Sequence, residues 1–207
     1  MDMLTRRTLL TASLTGAALL GFGGPPRAAY AQTAEQAVAF IEQTGKSLTG
    51  VINGSAAPAE KTAQLEQIVD RDVDINSVAR FCIGRFWRSA TPEQQQQYLQ
   101  LFRQMLIKSI TVKLGDFQGV TFVVGRATPG DGVVTVASVV TRPGTAPANV
   151  GWVVSSAGGS PRIVDLIAEG TSLRLTQRSD YASYLSNNGN NVQALLDAMR
   201  QKLTQPS

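Results

Sequence analysis

The sequence contains no histidine. Without an imidazole there is no serine–histidine or cysteine–histidine nucleophile pair and no histidine metal ligand, which removes most familiar hydrolase chemistry. Cysteine is almost as scarce: Cys82 stands alone, so neither an intrachain disulfide nor a cysteine-based zinc site can form. Charged residues make up 16% and aromatic residues 6% of 207 positions. That is too little charge for a disordered polyelectrolyte, while a hydrophobic share of 43% is enough for one well-filled core. One soluble domain is the expectation, since domains commonly run to about 100–200 residues.

What is present begins with an address. Arg6 and Arg7 precede an apolar stretch from Leu9 through Phe22, which Gly23, Gly24, Pro25 and Pro26 break, and Ala29-Tyr30-Ala31 offers the small residues that a signal peptidase accepts. The stretch is shorter than the ~20 apolar residues of a membrane span and is interrupted by Thr11, Ser13 and Thr15. Residues 1–31 therefore read as an export signal peptide cleaved before Gln32, leaving 32–207 as the single domain and a soluble protein outside the cytoplasm as the product. Thr5-Arg6-Arg7-Thr8-Leu9-Leu10 resembles a twin-arginine signal, so both the general (Sec) and the twin-arginine (Tat) export routes stay open. Removing Arg6, Arg7, Arg27 and Asp2 leaves sixteen basic against fourteen acidic residues, a balance with no nucleic-acid footprint.

The exported part divides into a helical half and a strand half. Apolar residues spaced by three, four and seven predict a helix over 33–53, ended by Asn53-Gly54-Ser55. A second helix is predicted from Pro58 to Val69, and a third after Asp74 as N-cap, with Ile75, Val78, Ala79 and Cys82 inward. Thr91-Pro92-Glu93-Gln94 carries a threonine cap, a proline at the first helical position and a glutamine placed to close a capping box. The long helix behind it shows Tyr98, Leu101, Phe102, Met105, Leu106 and Ile110 along one stripe. Beyond Gly119 the residues 120–127, 132–141, 150–156 and 162–168 are rich in β-branched residues and separated by glycine–proline clusters too short for anything but antiparallel connections. Closing helices are predicted around 179–186 and from Asn191. The fold class is α+β, a four-stranded antiparallel sheet packed against helices.

Candidates for chemistry are few. Asp165, Glu169, Asp116 and Tyr98 are the candidates for general acid–base work; Asp165 interrupts the strand Ile163-Val164-Asp165-Leu166-Ile167 and reads as a surface carboxylate paired with a cross-strand arginine, or as the leading candidate for a general base. Asp70, Asp72 and Asp74 alternate as in a calcium loop but lack its glycine and terminal glutamate, which leaves helix capping. No catalytic residue, metal or cofactor is expected. The apolar residues themselves either fill a core or line a cavity between sheet and helices, and composition does not separate the two.

Two segments carry a resemblance. Arg80-Phe81-Cys82-Ile83-Gly84-Arg85-Phe86-Trp87-Arg88-Ser89-Ala90-Thr91-Pro92-Glu93-Gln94, followed by the Tyr98–Phe102 helix, resembles the MlaC or toluene-tolerance family, the periplasmic lipid-binding components of ABC transport systems. Val164-Asp165-Leu166-Ile167-Ala168-Glu169-Gly170-Thr171-Ser172-Leu173, with Gln177-Arg178-Ser179-Asp180-Tyr181 behind it, resembles the family's last strand and closing segment. With the order of elements, the likeness runs over essentially all of 32–203. It implies a deep apolar pocket for phospholipid acyl chains, with the headgroup near solvent, in a soluble carrier that shuttles lipid between an inner-membrane ABC transporter with its lipid-binding subunit and an outer-membrane partner.

By residue type and expected inward direction the ligand-binding set is Phe86, Tyr98, Phe102, Leu106, Phe122, Val124, Val136, Val139, Trp152, Val154, Leu166 and Leu173. Arg85, Arg88 and Arg178 are candidates for the mouth or for docking. The chain departs from the family where Val150-Gly151-Trp152-Val153-Val154 lacks the charges of an acidic–aromatic–basic run, and its 175–184 segment is closer to the hopanoid-associated branch, HpnM. Hopanoid is thus the alternative cargo, and a ketosteroid-isomerase-like enzyme using Asp165 the alternative of another class.

Overall fold

The computed structural model describes residues 27–112 and 115–205. The export-signal segment lies outside them except for residues 27–31, which form the start of helix α1 (Arg27–Asn53). Three further helices follow: α2 (Pro58–Asp72), α3 (Ile75–Ile83) running into a 3₁₀ turn (Gly84–Arg88), and α4 (Pro92–Thr111). The caps expected from the sequence are in place. The Asp74 carboxylate accepts from Ser77 N–H at 3.0 Å, and the Thr91 hydroxyl and Gln94 amide close the capping box reciprocally at 3.2 and 3.1 Å. Asn53 ends α1 and ties it to the sheet, accepting from Gly119 N–H and donating to the Val120 carbonyl.

Strands β1 (Thr121–Pro129), β2 (Val133–Thr141), β3 (Ala148–Ser155) and β4 (Arg162–Ala168) form the expected antiparallel meander, in the order β1-β2-β3-β4-β5. The fifth strand is an addition to the four read from the sequence. It is two residues long, β5 (Thr171–Ser172), folded back onto Ile167 and Ala168 through Glu169 and Gly170, both with positive φ. Helix α5 (Leu173–Asn187) starts six residues before the predicted 179, because the Ser172 hydroxyl caps it by accepting from Leu175 N–H. Helix α6 (Val192–Thr204) closes the chain, capped by Asn191 as the sequence indicates.

Pairing across the sheet aligns Ala127, Val136, Trp152 and Leu166 in one row, and Pro129, Val134, Val154 and Ile163 in the next. Except for the exposed Pro129, these rows face α1 and form one core with Ala37 and Ile41. Trp152 is fixed within it by a 2.8 Å hydrogen bond from its indole N–H to the buried Ser138 hydroxyl. A second core lies among the helices, where Tyr98 of α4 meets Ala79, Cys82 and Ile83 of α3 and Tyr181, Leu185, Leu196 and Met199 of α5 and α6. Within α4 the stripe extends to Ile107, which is buried, whereas Leu106 and Ile110 are only partly covered. The two cores are distinct. The sheet packs on α1, α3 and α5, while α4 packs on α6, α3 and α2.

Candidate ligand-binding site

Nine of the twelve residues expected around a ligand divide between these cores, and Leu106, Val139 and Leu173 belong to neither. Phe86, Tyr98 and Phe102 belong to the helical core, and Val136, Trp152 and Val154 to the sheet core, with Phe122, Val124 and Leu166 packed against its border. Phe122 and Trp152 meet edge to face at 5.7 Å. The Phe122 ring also fills the space over Gly45 of α1, where a Cβ would lie 2.2 Å from its Cε1. Val139 is on the other side of the sheet from Val136, three residues along an alternating strand, and is 39% exposed opposite Val123. Leu173 is not in a strand but at the start of α5, 48% exposed.

Leu106 and Phe102 open onto a groove of about 430 Å³ between the C-terminal half of α4 and the helices α5 and α6. Met105, Val112 and Tyr181 complete its apolar part, Gln177 adds a polar amide, and Lys108 and Lys202 stand at its rim. Leu173, Gln177 and Tyr181 recur every four residues, so Leu173 continues the α5 wall of the groove, and Val112, 50% exposed, continues the α4 wall. Lys108 holds the far end together. Its ammonium donates to the carbonyls of Lys202, Leu203 and Gln205 at 3.2, 3.0 and 2.6 Å, satisfying the last turn of α6. Met105, Val112, Gln177 and Tyr181 were not among the ligand-binding residues expected from the sequence, although Met105 follows Phe102 by three residues and Gln177 follows Leu173 by four.

A larger cleft of about 660 Å³ lies between the α2–α3 junction, α4 and the β3–β4 turn, and its character is different. Its walls include Asp70, Asp74, Gln100, Arg103 and Arg162. Arg103 is held there by Asp70 at 2.6 Å and Glu66 at 3.3 Å, which keeps the Asp70 carboxyl below its usual range, and Arg162 donates to the Asp70 carbonyl. The paired charges suit no acyl chain. Asp72, between the other two carboxylates, is buried and accepts from Thr44 and Arg71, so the three acids serve packing and capping.

Asp165 is likewise structural. It is buried, and its oxygens accept from Leu166 N–H at 2.8 Å, Arg174 N–H at 3.0 Å and the Ser172 hydroxyl at 2.5 Å. Its charge partner is Arg174 of α5, at 3.4 Å, rather than the cross-strand arginine expected from the sequence. The carboxylate organises the start of α5. Beside it Cys82 is buried with its sulfur 3.6 Å from the Arg174 carbonyl, and burial pushes the thiol up to about 12.

Residues 35–201 match the family described as MlaC protein. The chain belongs to the MlaC family. The fold has a solved counterpart in a phospholipid-binding protein from Ralstonia solanacearum, determined in complex with a phospholipid. The two are 25% identical, superpose with a TM-score of 0.71, and the match covers 82% of this chain and 99% of that one.

Proposed function

We propose that this MlaC family member is a soluble periplasmic lipid carrier whose ligand inserts its acyl chains between the sheet core and the helical core, entering along the α4–α5 groove. The observation that carries this reading is the groove itself: apolar along the α4 wall, with Tyr181 opposite, open to solvent, and reaching Phe102 and Leu106, two of the residues expected at the ligand. Chains of about a dozen buried methylenes are worth roughly 10 kcal/mol each, so affinity needs no specific polar contact. The Lys202 ammonium at the rim offers a counter-charge to a phosphate left near solvent. Phe122, Val124, Val136, Trp152, Val154 and Leu166, which pack toward α1, are the sheet-side residues that the chains would have to reach, and Phe122 is the side chain that must yield first.

Cleavage before Gln32 would remove the first five residues of α1 and leave Ala37 and Ile41 anchored in the sheet core. The released protein would shuttle lipid between an inner-membrane transporter and an outer-membrane complex. Leu106→Arg tests the site. It places a charge on the groove wall at a half-buried position that the fold tolerates, and the lipid recovered from purified protein should fall by most of its amount while the circular dichroism spectrum is retained. Undiminished lipid in the folded variant would place the ligand elsewhere.

A further inference from the structure

The α3–α5 surface carries a set of arginines that the lipid pocket does not use. Arg80, Arg85 and Arg88 lie within nine residues at the α3 end and the 3₁₀ turn, and from α5 Arg174 and Arg178 stack on Phe81, with Arg178 beside Gly84 and donating to the Phe81 carbonyl at 3.4 Å. Four of the five guanidinium groups lie on aromatic rings. Arg174 and Arg178 sit 4.5 and 4.9 Å from the centroid of Phe81, Arg80 5.0 Å from Trp87, and Arg85 4.9 Å from Phe86. Gly84 is needed for this arrangement. Its φ of +61° is one a side chain rarely adopts, and a Cβ there would stand 3.3 Å from the Arg178 guanidinium carbon.

Only Arg174 has a carboxylate in reach, and Arg80, Arg85, Arg88 and Arg178 have none within 4 Å among the described residues. Four uncompensated charges on one surface are a large local excess in a chain with sixteen bases and fourteen acids after residue 31. A guanidinium stacked on a ring is pre-oriented, with its N–H fork left to chelate an oxyanion. Next to these cations stand exposed apolar side chains. Leu175, 56% exposed, lies between Arg174 and Arg178 on the same helix, and Leu173 continues toward the groove wall of Gln177 and Tyr181.

We propose that this arginine face, with Leu173 and Leu175 at its edge, docks the protein directly on an anionic phospholipid bilayer and so brings the α4–α5 groove against the membrane. An acidic protein surface would match the charges alone. Guanidinium forks for phosphates beside unsupported leucines, on the helix that forms one wall of the groove, match a lipid surface. The alignment of the groove rests on the carrier reading, whereas the docking itself does not.

The test is flotation of the purified protein with vesicles of pure phosphatidylcholine and of phosphatidylcholine mixed equally with phosphatidylglycerol. The protein should partition onto the anionic vesicles, weaken with salt, and ignore the neutral ones. With roughly a kilocalorie per surface arginine, Arg80→Gln, Arg85→Gln, Arg88→Gln and Arg178→Gln together should weaken partitioning about a thousandfold. Leu175→Gln should weaken what remains at high salt. A second readout, the lipid extracted from the same quadruple variant, separates the two ideas. Vesicle binding lost with resident lipid kept supports docking; vesicle binding by a protein that never holds lipid would sink the carrier reading and leave docking intact. Equal partitioning onto both vesicles, an unaffected quadruple variant, or arginine-dependent retention on a polyaspartate column without vesicle binding would overturn the proposal.

Discussion

Gly45 and Gly50 lie five residues apart in α1, and adding the same methyl group to each should have opposite effects. At Gly50 nothing lies within 4 Å of the new Cβ, so Gly50→Ala brings only the better helix propensity and the stiffer unfolded chain, a gain of about 0.5–1 kcal/mol. At Gly45 the new Cβ would stand 2.2 Å and 2.3 Å from Cε1 and Cδ1 of Phe122, well inside contact distance. Phe122 would have to leave the face of α1 and its edge-to-face packing on Trp152. Overpacking of this kind costs about 1–3 kcal/mol, which outweighs the propensity gain and leaves a net loss of roughly 1–2 kcal/mol. Urea denaturation with unchanged m-values should place Gly45→Ala below wild type and Gly50→Ala above it. In a chain of this size each kcal/mol moves the melting midpoint by about 2–4 °C, so the two variants should separate clearly. If Gly45→Ala is as stabilising as Gly50→Ala, the packing of Phe122 against α1 is wrong, and with it the claim that Phe122 closes the sheet core.

Three further outcomes follow from the same geometry. Burial holds the Tyr98 hydroxyl protonated far above its ordinary range, and it donates to the Ala79 carbonyl at 2.8 Å; Tyr98→Phe should cost about 1–2 kcal/mol in urea denaturation. Cys82, pushed up to about 12, should resist a thiol reagent at about pH 8 in the native protein and react at the rate of an exposed cysteine once urea unfolds it. Asp70 is depressed by its hydrogen bonds from Arg103, so its contribution is present above the unfolded value of about 4 and is lost as the pH falls through the lower folded one. Because the pair is partly solvated that contribution stays below about 1 kcal/mol, and the gap between wild type and Asp70→Asn at neutral pH should close in acid.

Much of the architecture was legible in the sequence because local chemistry and global packing agree there. Thr91, Gln94, Asp74 and Asn191 announce helix starts through hydrogen bonds made within three residues, and the glycine–proline turns leave no alternative to a meander. The start of α5 was harder. Its cap, Ser172, is supported from Asp165 seven residues back, and a run such as Thr171–Leu175 reads equally well as strand. The site was legible by residue type more than by place. Val136 and Val139 cannot share a face of one strand, and Leu173 changes surroundings entirely once it opens a helix. Phe102 and Leu106 do face a groove, but the residues opposite them come from α5 and α6, about 75 to 100 positions further on, and no local pattern reveals that meeting.

The central claim is that this MlaC family protein carries lipid. It is tested most directly by purifying the protein exported from a bacterial host, extracting it with organic solvent and analysing the extract by mass spectrometry. Stoichiometric phospholipid is the expected result, and hopanoid in its place would keep the carrier while renaming the cargo. A protein that emerges empty and takes up neither lipid when they are supplied would contradict the account.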